Sequence, residues 1–209
     1  YSFTPDRNFN GTDQFSYSVS DGRATVVYRV FVTVTPVNDA PVGSDTAISL
    51  AEDTTFTGRL PTASDADGDA ITYGLAAAAG HGTVSINADG TYSYTPNGNF
   101  NGTDSFSYSV SDGTVTNIYR VTVTVTAVND APVGSDTSIS VQEGTVATGT
   151  LPPAFDVEGS PVTYGLGANP VHGTVTIDLN GNYTYQPDAG FSGADQFTYT
   201  VSDGTATSV

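Results

Sequence analysis

The sequence predicts an all-β protein made of tandem β-sandwich repeats. The nine residues NDAPVGSDT occur at 38–46 and again, unchanged, at 129–137, so the chain repeats with a period of 91 residues. Apolar and polar residues alternate in short runs separated by Gly, Pro, Asn and Asp, as in strands with one buried face. The three- and four-residue apolar spacing of amphipathic helices is missing.

The period divides the 209 residues into three segments. Residues 1–36 are expected to hold the last three strands of a partial repeat. Residues 37–127 form a complete repeat, and residues 128–209 form a repeat that lacks its last strand. A repeat of 91 residues is within the usual size range of a domain.

The complete repeat contains seven alternating runs. A hairpin turn is expected at Asp89-Gly90, between the fourth and fifth runs. Seven short strands in 91 residues is the count and spacing of an immunoglobulin-like Greek-key sandwich, and the successive repeats would form a linear array. In chain order, the runs are at residues 48–50, 56–60, 71–75, 84–86, 92–94, 106–110 and 119–125.

Composition excludes several functional classes. The net charge is −17, from 22 acidic residues against five basic ones, which argues against nucleic acid as a partner. No apolar run is long enough to span a membrane, so direct insertion is not expected. The chain has no Cys, no G-x-S-x-G elbow and no phosphate-binding loop, and His81 and His172 occur once per repeat. We therefore do not expect an enzyme.

The segment SDADGDA at 64–70 is the most informative stretch. Asp65, Asp67 and Asp69 place three carboxylates within five residues, where they repel one another unless a cation lies between them. An EF-hand loop starting at Asp65 would need Gly and Glu where Ala70 and Ala76 stand, so that motif is excluded. From the loop alone, a divalent cation site and an ordinary solvated turn both remain open.

Three motifs occur in the order found in cadherin repeats: VTPVNDAP at 34–41, SDADGDAITYGL at 64–75 and SVSDG at 109–113. They resemble the cadherin linker, D-A-D loop and A-x-D-G motif. The whole chain is similar to the cadherin-like tandem repeats of very long secreted bacterial adhesins of the RTX type. Those repeats also read VNDAPV, EDT and NFNGTDSF. The cadherin Asp-Arg-Glu segment has no counterpart here, and the linker lacks its leading acid.

The resemblance implies calcium ions held at the junctions between repeats. Asp21 and Glu143 would then belong to other junctions, and the change of Asp69 to Ser160 predicts a weaker second site. The implied ligands at the first junction are Asn38, Asp39, Asp65, Asp67, Asp69 and Asp112. Those at the second are Glu52 from the preceding repeat, with Asn129, Asp130, Asp156, Glu158 and Asp203.

The implied function is a structural stalk of a large extracellular bacterial adhesin, secreted by a type I system. Calcium between neighbouring repeats would stiffen it, and the stalk would support cell-surface or cell–cell adhesion and biofilm formation. Two alternatives stay open. Residues 26–35 correspond to the strand missing from the last segment, so other copies could assemble into a filament by strand donation. The 12 tyrosines could bind surface carbohydrate, unless rings such as Tyr92, Tyr94 and Tyr108 are buried.

Overall fold

A computed structural model describes all residues, Tyr1–Val209, and contains strands and turns but no helix. The all-β prediction is confirmed. The structure has no long apolar helix of the kind that spans a membrane. The chain forms two compact units, Tyr1–Ala127 and Val128–Val209. The strands are β1 Gly11–Ser20, β2 Thr25–Val34, β3 Thr46–Ala51, β4 Phe56–Arg59, β5 Thr72–Ala77, β6 Gly82–Ile86, β7 Thr91–Pro96, β8 Gly102–Ser111, β9 Thr116–Thr126, β10 Ala147–Thr150, β11 Thr163–Leu166, β12 Gly173–Ile177, β13 Asn182–Pro187, β14 Tyr199–Ser202 and β15 Thr207–Ser208.

The first unit starts with a two-stranded antiparallel hairpin, β1–β2. Asp21 closes its turn, because Oδ1 accepts the backbone N–H groups of Arg23 and Ala24, each at 2.8 Å. The expectation of three strands in residues 1–36 is wrong, since only two form. In the complete repeat the corresponding strand, β7, pairs with β4 and β6, and the chain contains no counterparts of those strands for this segment.

The complete repeat forms all seven predicted strands in two sheets, with orders β3-β9-β8-β5 and β4-β7-β6. β3 runs parallel to β9, and every other pairing is antiparallel. The hairpin turn at Asp89-Gly90 is confirmed: Gly90 has φ +86°, and the N–H of Asn87 donates to the Thr91 carbonyl at 2.8 Å. This is the seven-stranded sandwich that the alternating runs predict.

The core lies between these two sheets. Tyr92 and Tyr94 from β7 contact Phe106 from β8, with ring centroids 5.8 and 6.3 Å apart. Val121 and Val123 of β9 are fully buried beside them. Burial of such a side chain contributes about 1.5–3 kcal/mol, so β9 is one of the main supports of the fold.

The second unit has sheets β10-β13-β12 and β11-β14-β15. Residues 137–142 correspond to β3 and share its alternation, with Ile139 and Val141, yet form no strand. β3 takes its hydrogen bonds from β9, whereas the counterpart of β9 here is only the two residues of β15. Beside this segment is an open cavity of about 880 Å³ with a mixed polar and apolar lining, which includes Ile139, Leu151, Tyr183, Phe197, Tyr199 and Val201.

Candidate metal centres

The acidic loop of the first unit is fixed to the linker by a short antiparallel bridge between Val42 and Ser64. The N–H of Val42 donates to the Ser64 carbonyl at 2.8 Å, and the N–H of Ser64 donates back at 2.9 Å. Linker residues 38–41 lead into this bridge and loop residues 65–70 lead out of it. This pairing therefore places the linker next to the acidic loop.

The three loop carboxylates converge. One oxygen from each of Asp65, Asp67 and Asp69 lies within 4.8 Å of the others. Asp65 Oδ1 accepts the N–H groups of Asp67 at 2.9 Å and Asp69 at 3.4 Å, which folds the loop around this side chain. Gly68, with φ +81°, supplies the left-handed conformation that the turn needs. Three like charges so close together favour a cation between them.

The linker is hydrogen-bonded onto the same cluster. The N–H of Asp39 donates to Asp67 Oδ2 at 2.7 Å, and Asn38 Nδ2 donates to Asp112 Oδ2 at 2.9 Å. Asp112 Oδ1 meanwhile closes the β8–β9 turn by accepting the N–H groups of Thr114 and Val115. These hydrogen bonds, from Val115, Asn38 and Thr114, hold the pKa of the Asp112 carboxyl below its ordinary value, so it is ionised at neutral pH. The six residues implied at the first junction thus form one connected group.

One buried atom tests whether a metal ion fits this group. Asp65 Oδ2 is buried and has no hydrogen-bond partner. An unpaired buried carboxylate oxygen is unfavourable unless it coordinates a metal or finds another partner. Carboxylate and amide oxygens are the ligands that calcium prefers. The donor set around Asp65 therefore fits a calcium ion.

The second unit repeats the arrangement. Asn129 Nδ2 donates to Asp203 Oδ2 at 2.7 Å, and the N–H of Asp130 donates to Glu158 Oε2 at 3.2 Å. Asp156 is only 9% exposed, and its Oδ2, like that of Asp65, is buried without a partner. Asp156 Oδ1 accepts the N–H of Glu158 at 3.1 Å. Five of the six residues implied at the second junction are therefore brought together within this unit.

Glu52, the sixth, lies in the first unit and away from the Asp65 cluster. It is 1% exposed, accepts a hydrogen bond from Asn101 Nδ2 at 3.3 Å, and its own N–H donates to the Thr126 carbonyl at 2.9 Å. Gly102 at the start of β8 pairs with Val125, whereas Asp112 follows the other end of that strand. Glu52 is therefore at the end of the sandwich opposite the Asp65 cluster. Its participation in the second junction stays a prediction.

Sequence reasoning missed the role of Asp104. This side chain is 7% exposed and accepts the N–H groups of Gly80 and His81 at 3.0 and 2.8 Å, and the hydroxyl of Tyr94 at 2.9 Å. Burial alone would raise the pKa of the Asp104 carboxyl, but these hydrogen bonds and one from Ser105 outweigh it and lower the pKa.

Asp195 holds the Tyr185 hydroxyl and the N–H groups of Val171 and His172 in the same way. The available sequence signal was an acid at equivalent positions 91 residues apart, each in a segment of otherwise uncharged residues. His81 and His172 each stack on a phenylalanine ring, at 4.3 Å from Phe100 and Phe191 respectively. Both histidines are thus packed against an aromatic ring in the same way.

Models of known domain families match three successive segments of the chain. Residues 38–127 match the bacterial cadherin-like domain, residues 129–209 the bacterial Ig domain, and residues 1–35 the cadherin-like domain. Each of these three segments is therefore similar to a domain of a bacterial cadherin-like or Ig-like family. Domains of these families are typically non-enzymatic and suggest an extracellular adhesion-type module, and cadherin-like domains generally bind calcium.

Individual relatives are similar over different shares of the chain. The three ectodomain repeats EC1-3 of mouse protocadherin-24 superpose with a TM-score of 0.54 at 16% identity, covering 94% of this chain and 74% of that one. A sphingomyelinase of Mycobacterium tuberculosis is 36% identical over 88 residues, 37% of this chain but 17% of that protein. An endo-fucoidan hydrolase of glycoside hydrolase family 107 has a TM-score of 0.41, and this chain covers 34% of it. The chain spans about a third or less of these two enzymes.

Proposed function

We propose that this chain is a stalk module of a large extracellular bacterial adhesin of the RTX type, stiffened by calcium at its linkers. The observation that carries the proposal is the docking of linker residues Asn38 and Asp39 onto carboxylates of the repeat that follows, next to the buried and unpaired oxygen of Asp65. A calcium ion held by these oxygens would fix the linker to the repeat that follows.

Calcium, when bound, would supply the positive charge that the cluster lacks. It would be held by the oxygens of the first-cluster residues named above. The chain's own contribution is to position them. Asp65 Oδ1 shapes the loop, and Asp39 and Asn38 tie the linker to Asp67 and Asp112. Because the linker is docked on the following repeat, the freedom left at this junction lies just before Asn38, at Pro36 and the 80%-exposed Val37.

Repetition makes this local effect useful. The stability of a repeat array is roughly the sum of its units and of nearest-neighbour interactions, so stiff junctions add up to a long rod. The partners are the neighbouring repeats of the same chain. The charge of −17 and the absence of Cys are compatible with export by a type I system into calcium-rich surroundings, where such a rod would support adhesion and biofilm formation.

Small-angle scattering tests the proposal directly. The chain at low concentration should show a longer, better-defined maximum dimension in calcium than in excess chelator. The matched control is the double variant Asp65→Asn and Asp156→Asn, which removes one buried carboxylate from each cluster and should scatter alike in both buffers. If chelation alters neither the dimension nor the flexibility of the unchanged chain, the acidic loops are ordinary turns.

A second candidate is filament assembly by strand donation. β2 carries the same alternation as β9, and its half-buried Val30, Val32 and Val34 occupy the positions of the β9 side chains that are buried in the core. Strand donation predicts oligomers whose mass rises with concentration in light scattering and which a peptide of residues 116–126 dissolves. A monomer at all concentrations would contradict it.

Carbohydrate binding gains no comparable support. Tyr92, Tyr94 and Tyr108 are 5%, 0% and 0% exposed, so their faces are occupied by the core. Stacking on a sugar ring needs an accessible aromatic face. We therefore do not propose these tyrosines as a carbohydrate-binding surface.

A further inference from the structure

The two metal centres differ in charge while sharing one scaffold. Gly68 and Gly159 turn the loops with φ of +81° and +80°, and in both loops an aspartate Oδ1 accepts the N–H groups two and four residues further along. Ser160 stands where the first loop has Asp69. The first cluster therefore has five carboxylates, Asp39, Asp65, Asp67, Asp69 and Asp112, and the second has four, Asp130, Asp156, Glu158 and Asp203.

The hydrogen bond between linker and loop is also shorter in the first cluster than in the second. The N–H of Asp39 donates to Asp67 at 2.7 Å, whereas the N–H of Asp130 donates to the longer side chain of Glu158 at 3.2 Å. A shorter hydrogen bond and a shorter side chain give a more rigid site. Calcium affinity depends on both the charge of the ligands and the rigidity of the site. Both differences favour the first cluster.

We propose that the two clusters fill in sequence, so that the chain responds to calcium at two separate concentrations. The Asp65 cluster fills first, and the Asp156 cluster fills at a concentration about tenfold higher or more, since one additional carboxylate near a divalent ion changes affinity by roughly that factor even under strong solvent screening. This inference rests on the proposed calcium function. It adds a graded response, in which one linker becomes fixed while the other stays mobile.

Calorimetric titration of the whole chain with calcium chloride should resolve two binding steps. Nuclear magnetic resonance assigns them, because the amide signals of Gly68 and Gly159 report on one loop each. We expect the Gly68 signal to move in the first step and the Gly159 signal in the second. The separation between the two dissociation constants is the quantity that the proposal predicts.

Two reciprocal variants test the cause. Ser160→Asp gives the second loop its missing carboxylate and should lower the second dissociation constant about tenfold, which brings the steps together. Asp69→Ser should raise the first constant by a similar factor. Asp69 is exposed and Ser160 only half-buried, so neither change disturbs the core. Asp6→Ser, an exposed acid outside both clusters, controls for net charge and should move neither step.

The outcomes separate the two proposals. Equal constants, a reversed order, or reciprocal variants that leave the separation unchanged would overturn sequential filling but leave calcium stiffening intact. Calcium binding at neither loop would overturn the proposed function as well. Two steps that converge in Ser160→Asp would support both.

Discussion

At the scale of single residues, aspartate has two distinct roles in this protein. Asp104 has every hydrogen bond that its oxygens need within the fold, from backbone N–H groups and the Tyr94 hydroxyl. Asp65 and Asp156 each keep one buried oxygen without any partner. The sequence shows all three as acids near turns or polar strand faces. The difference depends on contacts between distant segments, which local patterns do not contain.

Replacement of Asp104 should destabilise the complete repeat strongly. In Asp104→Ala the buried Tyr94 hydroxyl and the N–H groups of Gly80 and His81 lose their acceptor, at a cost of about 3 kcal/mol. Urea denaturation measures the loss, and hydrogen exchange at β8 amides assigns it to this repeat. Asp13→Ala is the matched control, because this counterpart accepts only the N–H of Gln14 and is exposed. Equal effects of the two changes would refute the assigned role.

The same carboxylate predicts a pH dependence. The pKa of Asp104 is lowered in the folded state, because its hydrogen bonds outweigh the effect of burial. A lowered pKa contributes stability that is fully present above the unfolded value of about 3.9 and is lost as the pH falls through the folded value. Unfolding free energies measured from pH 6 downward should therefore fall less steeply in Asp104→Asn than in the unchanged chain. Parallel slopes would argue against the contribution.

At the scale of strands, a shared pattern does not guarantee a shared structure. The seven runs of the complete repeat were predictable because strand alternation is local and each run finds its partner. Residues 137–142 have the same pattern as β3 but form no strand. β3 pairs with β9, whereas only Thr207 and Ser208 of the corresponding partner segment are paired here. Hydrogen bonding to a partner strand, rather than alternation of apolar residues, therefore decides whether residues 137–142 form a strand.

Hydrogen exchange should show this difference within one molecule. The amides of β3 that pair with β9 should exchange slowly, and those of residues 137–142 should exchange at rates close to those of an unstructured peptide. Addition of a peptide of residues 116–126 should protect the second segment, because it supplies the missing partner; a peptide of the same composition in scrambled order should not. Slow exchange of 137–142 without any peptide would contradict the pairing argument.

At the scale of the whole molecule, the motifs identified the cluster residues, but not how the linker is held. The resemblance placed Asn38, Asp39, Asp65, Asp67 and Asp112 at one junction, because each belongs to a recognisable motif. It did not indicate that Asp39 acts through its backbone N–H, or that Asn38 donates to Asp112. Such contacts join segments up to 74 residues apart and follow from the packing of the sandwich.

The carboxylates of the clusters repel one another without calcium and bind it when it is present, which gives a prediction for the stability of the whole chain. Calcium that binds only the folded state raises its unfolding free energy by RT ln(1 + [Ca²⁺]/Kd), or about 2.7 kcal/mol at 100 times Kd. Asp65→Asn should weaken this dependence. Its amide can still accept the N–H groups of Asp67 and Asp69 through Oδ1, and Nδ2 can donate to neighbouring carboxylates. In chelator the variant should therefore be at least as stable as the unchanged chain, whereas in calcium it should be less stable.

Thermal unfolding in calcium, in chelator, and in sodium chloride of equal ionic strength measures how the relative stability of the two chains changes with calcium. The sodium chloride arm is needed because salt alone screens the 22 acids and stabilises a chain of charge −17 to some extent. Calcium must stabilise the unchanged chain more than sodium chloride of equal ionic strength does. This difference between the two salts must be smaller in Asp65→Asn. If the variant is less stable than the unchanged chain in all three buffers by the same amount, Asp65 serves the loop alone and the cluster has no role in holding an ion.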